Sequence, residues 1–114
     1  VMTTVRGGIA QLHRAGIDVS LMDLQYAPAV LTHPHYREME HALWATAKAS
    51  AVSLFHRFAL MREWSEHGNM KMSAMVSADH LHMTDASYDC LARQLSTSIQ
   101  RDTQIATDAL ATKG

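Results

Sequence analysis

The stretch Ser77-Ala-Asp-His-Leu-His-Met-Thr-Asp-Ala-Ser-Tyr-Asp-Cys-Leu-Ala92 decides how the rest of the chain is interpreted. It places Asp79 three residues before His82, just ahead of a predicted helix. On a loop, this D-x-x-H spacing lets the carboxylate accept a hydrogen bond from one imidazole nitrogen, which leaves the other nitrogen to take a proton from a nucleophile. The stretch therefore predicts two of the three members of a hydrolytic triad, with Asp79 and His82 as catalytic residues.

The same stretch predicts where the last helix begins. Thr84 is a good N-cap residue, and the charge of Asp85 in the first turn suits the helix dipole. Cys90 is interpreted as a small buried residue of this helix rather than as a reactive thiol. Apolar residues then recur at helical spacing, at Tyr88, Leu91, Ala92, Leu95 and Ile99.

The run Asp79-His80-Leu81-His82, with the residues after it, resembles the last conserved block of the SGNH (GDSL-type) esterases and acylhydrolases. In that block a D-x-x-H provides both the catalytic acid and the catalytic base. Residues 19–28 and 53–64 are similar to a strand with its strand-end loop and to the next strand and helix of the same fold. The resemblance thus covers most of the chain and implies an α/β fold, the C-terminal half of a flavodoxin-like three-layer α/β/α hydrolase. One departure is Met83, which follows the histidine where many members have proline.

The other three blocks of that family are absent from the sequence. It contains no Gly-Asp-Ser, and its single asparagine, Asn69, lies in a Gly-Asn-Met-Lys stretch unlike the family's Gly-x-Asn block. We therefore expect residues 1–114 to be a single partial domain, the C-terminal portion of an SGNH hydrolase domain. It would contribute the Asp–His pair of a serine ester hydrolase and be inactive alone, because a triad without its nucleophile cannot form the acyl-enzyme.

Two apolar segments, at about residues 17–25 and 51–56, predict parallel strands separated by an amphipathic helix over 36–49. The near-continuous apolarity of the first segment indicates a strand buried on both faces. Further helical spacing is present over residues 2–15 and 57–67, whereas residues 68–78 show no clear period and predict a loop.

The end of the first strand is the second place where site residues are expected. In parallel sheets, the C-terminal ends of the strands face the ligand crevice. Asp23, Gln25 and Tyr26 would lie there, and Gln25 and Tyr26 are the predicted substrate-binding residues. A turn that only packs against the fold is an equally good interpretation of the same residues.

The composition limits the partners. At 114 residues the chain forms one domain at most, and a formal charge of −1 gives no electrostatic reason to expect nucleic acid or an anionic membrane. No apolar run approaches the roughly 18 residues of a membrane span.

The predicted partners are a small-molecule ester and a missing N-terminal half or a second chain that covers the open edge of the sheet. Nothing in the sequence indicates a cofactor or assigns a compartment.

Two alternatives stay open on the sequence alone. The first is a non-catalytic binding module of the same fold, since two parallel strands with helices leave a sheet edge and an apolar face uncovered. The second is a histidine-rich metal site formed by the His33-Pro34-His35 and His80-Leu81-His82 pairs. No part of the sequence brings these two pairs together, so no metal is predicted.

Overall fold

The computed structural model describes residues 2–113, which form a helix-rich chain around a small parallel sheet. Along the chain the elements are α1 (Met2–Arg14), β1 (Ser20–Met22), α2 (Pro28–Leu31), α3 (Tyr36–Ala49), β2 (Ser53–Phe55), α4 (Arg57–Glu66), α5 (Met72–Met75) and α6 (Asp85–Lys113). Helix α3 packs against α1 and β2, and α6 packs against β2 and α5.

The predicted pair of parallel strands is confirmed. β1 and β2 pair in register through Ser20 with Ser53, Leu21 with Leu54, and Met22 with Phe55. An α/β arrangement of two strands joined through helices is therefore present within residues 2–113.

The first strand is shorter than the predicted segment 17–25, because the cap of α1 extends into it. Gly16 has a φ of +75°, and the N–H of Ile17 donates to the carbonyl of Leu12 at 2.9 Å, which closes the helix with a left-handed C-cap. Ile17 consequently leaves the sheet and is 50% exposed. The second strand is likewise confined to Ser53–Phe55 within the predicted 51–56.

The expected burial of the first strand on both faces is wrong. Ser20 is exposed, while Leu21 and Met22 are only half-buried, since a two-stranded sheet has few neighbours to cover it. The core lies instead toward the C-terminal ends of the strands and comprises Ala27, Phe55, Met61, Met75, Val76, Met83 and Leu91. The apolar residues that bracket the D-x-x-H segment are thus part of the core.

The segment before α6 is more ordered than the predicted loop over residues 68–78, because α5 lies within it. The predicted N-cap of α6 is confirmed: the N–H of Ser87 donates to Oγ1 of Thr84 at 3.2 Å. Ser87 is itself fully buried, and its hydroxyl donates to the carbonyl of Met75 at 2.6 Å. These bonds join α5, the D-x-x-H segment and the start of α6 into one unit.

Helix α6 has 29 residues and, at 1.5 Å per residue, is about 44 Å long. Its second half leaves apolar side chains exposed at Ile99, Ile105 and Leu110. Within residues 2–113, none of the helices combines the length and apolarity that a membrane crossing requires.

Candidate active site

The segment that carries Asp79 and His82 is a closed turn. Val76 and Met83 form an isolated antiparallel bridge at its base, and the N–H of Ser77 donates to the carbonyl of His82 at 2.7 Å. His80, at the tip, has a φ of +64°, and its N–H donates to the carbonyl of Ser77 at 3.0 Å. Because Val76 and Met83 are buried in the core, the turn projects from a fixed base.

Asp79 and His82 are brought together inside this turn. One carboxylate oxygen, Oδ1, accepts the backbone N–H groups of Leu81 at 3.0 Å and His82 at 2.9 Å. The other, Oδ2, contacts the imidazole Nδ1 of His82. The hydrogen bond from His82, followed by the two backbone N–H bonds, lowers the pKa of Asp79 to about 2.

This geometry fixes the tautomer of the imidazole. An ionised carboxylate only accepts hydrogen bonds, so the Nδ1 of His82 carries the proton that Asp79 binds. The Nε2 atom is then left with a free lone pair, which is the arrangement that a general base requires.

The pair lies at the surface, since the side chain of His82 is 70% exposed and that of Asp79 is 47% exposed. Within residues 2–113, the ring of His82 has no hydrogen bond to a serine or threonine hydroxyl. The described residues therefore place a carboxylate–imidazole pair at the surface with no hydroxyl group bonded to the ring.

The end of β1 supports the turn. The side-chain Nε2 of Gln25 donates to the carbonyl of Leu81, and the N–H of Ala29 donates to the carbonyl of His80 at 3.0 Å. Gln25 is thus placed beside the turn that carries Asp79 and His82, as the strand-end rule indicates, but its amide is bonded to the backbone between these two residues. Whether it also contacts substrate stays a prediction.

Tyr26 is placed differently from Gln25. Its ring is half-buried, packs edge-on against Phe58 with 5.3 Å between ring centroids, and borders the core. The structure therefore gives Tyr26 a packing contact, and its predicted substrate role also stays a prediction.

A second polar cluster, formed by Asp23, Glu40 and Arg57, lies at the same edge of the sheet. The sequence analysis did not identify Glu40 or Arg57 as site residues. Asp23, which follows β1, is buried; its Oδ1 accepts the N–H of Phe58 at 3.0 Å, which caps the start of α4. The guanidinium of Arg57 donates to the backbone carbonyl of Asp23 at 2.8 and 3.2 Å. These contacts tie the ends of both strands together.

Glu40 of α3 completes this cluster. The N–H of Leu24 donates to its Oε1 at 2.8 Å. Burial, reinforced by the neighbouring Asp23 carboxyl, raises the pKa of Glu40 to about 7. A sequence signal was available, because Glu40 stands three residues before Leu43 and seven before Ala47, on the apolar face of the helix.

The histidine pairs do not assemble a metal site in the described part of the chain. The rings of His33 and His35 lie 5.9 Å apart, and His35 contacts Glu38 at 3.3 Å. Among residues 2–113, no group of three or more His, Cys, Asp and Glu side chains is placed to hold a metal ion.

A cavity of about 580 Å³ lies away from this site. It is bordered by Ser20 and Ser53, the first residues of the two strands, and by the second half of α6. Ligands of open parallel sheets bind at the opposite, C-terminal ends of the strands, so this cavity is not part of the candidate active site.

Comparison with known proteins gives one finding. The model of the Non-GDSL lipase-like family matches residues 1–105, nearly the whole chain. No curated protein and no solved structure matches. The match confirms the resemblance seen in the sequence, because it is consistent with a lipase-like family of the GDSL/SGNH type.

Proposed function

The chain belongs to the Non-GDSL lipase-like family, and from this premise we propose that it is part of a serine ester hydrolase in which Asp79 and His82 are the acid and base of the triad. The observation that carries the proposal is the bond between the Asp79 carboxylate and Nδ1 of His82, which leaves Nε2 as the proton acceptor. If Asp79 only capped the loop, the hydrogen bonds that it accepts from the backbone N–H groups of Leu81 and His82 would be sufficient, without a bond to the imidazole.

In the proposed reaction, Nε2 of His82 takes the hydroxyl proton as a serine attacks the ester carbonyl. The imidazolium that forms is stabilised by Asp79 and then gives its proton to the departing alcohol. A covalent acyl-enzyme remains, and water activated by the same Nε2 releases the acid. Asp79 stays ionised throughout, in accord with its low pKa.

The serine and the oxyanion donors are proposed to come from polypeptide other than residues 1–114. Two features support this. The exposed His82 has no hydroxyl partner in the described chain, and β1 and β2 each have one edge with no neighbouring strand among residues 2–113. Further strands from an N-terminal half or a second chain would extend this sheet into the three-layer α/β/α fold and bring a serine to His82.

Labelling with a fluorophosphonate, which phosphonylates the activated serine of serine hydrolases, tests the proposal. With the protein as its gene encodes it, we expect one labelled serine, identified by mass spectrometry outside residues 1–114, and labelling that is lost in His82→Ala. His67→Ala is the matched control, since His67 also contacts a carboxylate, that of Glu63 at 3.1 Å, and is 67% exposed.

Two results would contradict the proposal. A labelled serine within residues 1–114 would show that the nucleophile has been wrongly placed. Absence of labelling in the intact protein would favour the alternative, a non-catalytic binding module, for which the uncovered sheet edges are the supporting observation.

A further inference from the structure

The carboxyl of Glu40 lies where α3 meets the end of β1, and the proposed reaction does not use it. Its Oε1 accepts the N–H of Leu24 at 2.8 Å, and it is hydrogen-bonded to the carboxyl of Asp23, which is buried. Two carboxyl groups can bond to each other only when they share a proton, because an ionised carboxylate has no donor. Glu40 therefore holds the strand end through one bond to the backbone and one bond that requires a proton.

The strand end that this carboxyl holds is joined to the turn of the candidate active site. Gln25 follows Leu24 in the chain, and its side-chain Nε2 donates to the carbonyl of Leu81. The N–H of Leu81 in turn donates to Oδ1 of Asp79 at 3.0 Å. A displacement of Leu24 is thus passed through two hydrogen bonds to the carboxylate that orients His82.

Few charged groups act on Glu40. The nearby charges are those of Asp23 and Arg57, and Arg57 is itself acted on by Tyr88 of α6. Strand β2, which packs against α3, contains no titratable residue. The other titratable residues of α1, and those of α3 within one turn of Glu40, form no hydrogen bond or ion pair with it in the described chain; they are Arg6, His13, Arg14, Tyr36, Arg37 and His41. The protonation of Glu40 is therefore governed by its own burial and by this one polar cluster.

Ionisation of Glu40 weakens its hold on the strand end. Burial raises the pKa of Glu40 to about 7, with the Asp23 carboxyl acting in the same direction, and outweighs the bond from Leu24, which lowers this pKa. Above about pH 7 the proton shared with Asp23 is lost, and the carboxylate gains by turning toward water. Leu24 then loses its acceptor.

We propose that Glu40 is a positioning residue whose proton keeps Leu24 and Gln25 in place and, through them, the turn that carries His82; this inference rests on the proposed function. Glu40 touches neither substrate nor the reacting atoms. Its loss of the proton lowers activity on the alkaline side of neutrality, for a reason separate from the state of His82 itself.

The pH dependence of ester hydrolysis by the complete protein tests the proposal. Glu40→Gln keeps the acceptor for Leu24 and cannot ionise, so the ratio of its kcat/KM to that of the wild type should be near one at about pH 5.5. The ratio should rise to about fivefold at about pH 8.5, roughly the value of one hydrogen bond, with a midpoint at about pH 7. Taking the ratio removes any pH dependence that both proteins share. The exposed Glu66→Gln should give a ratio of one throughout.

Glu40→Leu separates positioning from a general loss of stability. Leucine fills similar space without an acceptor, so kcat should fall at every pH with little change in KM, whereas glutamine at the same position should restore it.

Amide signals from ¹⁵N-leucine labelling of the complete protein report both hydrogen bonds without any need for catalysis. Leu24 and Leu81 should each show a titration component with a midpoint at about pH 7 that Glu40→Gln removes. In Gln25→Leu, the component should persist at Leu24 and disappear at Leu81, because the bond between the strand end and the turn is gone.

A ratio that stays at one across the pH range, or a component at Leu81 that persists in Gln25→Leu, would overturn the proposal. Its failure is distinguishable from failure of the proposed function. A labelled serine with a flat ratio would contradict only the role of Glu40, whereas coupled titration of Leu24 and Leu81 without a labelled serine would contradict hydrolysis and not the coupling.

Discussion

The carboxylate of Asp79 binds His82 twice, through the backbone N–H at 2.9 Å and through the imidazole Nδ1. The first bond shapes the turn, and the second orients the ring within it. One side chain therefore fixes both the backbone and the tautomer of the proposed base, which explains why the pair is arranged before any substrate is present.

The pKa of Asp79 should depend on His82. Because the His82 bond is the largest cause of the shift, we expect His82→Ala to raise the pKa of Asp79 from about 2 part of the way to its ordinary value of 3.8. ¹³C NMR of the carboxyl carbon against pH measures this directly, with His67→Ala as the control. An unchanged titration of Asp79 in His82→Ala would contradict the bond.

The sign of the accompanying stability change follows from the depressed pKa. The contribution of Asp79 to stability is fully present above its unfolded pKa near 3.8 and is lost as the pH falls through about 2. The turn should therefore keep this contribution at neutral pH.

Gln25 should hold the turn through the carbonyl of Leu81. Gln25→Leu removes a hydrogen bond worth about 1 kcal/mol, so the amide hydrogens of Leu81 and His82 should exchange roughly fivefold faster. In the complete protein, a positioning role predicts a lower kcat with little change in KM. A raised KM with unchanged kcat and unchanged exchange would instead indicate a substrate contact. Gln94→Leu, on the exposed face of α6, is the control.

Glu40 should make the folded state less stable as the pH rises. Its pKa is about 7 in the folded chain against 4.5 ordinarily, so between these values the folded state holds a proton that the unfolded state has released. The free energy of unfolding consequently falls as the pH rises through this window.

Glu40→Gln should remove that dependence, because the amide Oε1 can still accept the N–H of Leu24 without carrying a charge. Urea unfolding at about pH 5 and about pH 8 should show the variant gaining stability over the wild type at the higher pH. The exposed Glu66→Gln should behave like the wild type. An equal gain in stability at both pH values would contradict the role assigned to burial of Glu40.

Replacement of Gly8 and of Gly68 by alanine should change the free energy of unfolding in opposite directions. Gly8 lies in α1 with nothing within 4 Å of an added Cβ, so Gly8→Ala should raise the free energy of unfolding by about 1 kcal/mol through helix propensity. At Gly68, an added Cβ would lie 3.0 Å from Cα and O of Trp64, so Gly68→Ala should lower it by roughly 1–3 kcal/mol. Changes of the same sign in urea unfolding would contradict this assignment.

The sequence was sufficient where the determining contacts are local. Asp79 and His82 are three residues apart, and Thr84 bonds to Ser87, so spacing alone predicts both contacts. The parallel pairing of the strands also followed from a short-range pattern, two apolar segments separated by an amphipathic helix.

The sequence was insufficient to predict contacts between segments that lie far apart along the chain. The bond from Gln25 to Leu81 joins residues 56 positions apart, and the contact of Glu40 with the end of β1 depends on how α3 packs. Ile17 has a side chain that favours a strand, but its N–H donates to the carbonyl of Leu12 in the C-cap of α1 and is therefore not available to the sheet. In each case, tertiary contacts or a competing local bond outweighed the residue's own preference.

The central claim is that Nε2 of His82 is the base for ester hydrolysis, and the most direct measurement is kcat/KM for a short p-nitrophenyl ester in the complete protein. His82→Ala should lower kcat/KM by about a thousandfold or more, whereas His67→Ala should stay within about twofold of the wild type. Retention of activity in His82→Ala, or equal losses in the two variants, would contradict the account.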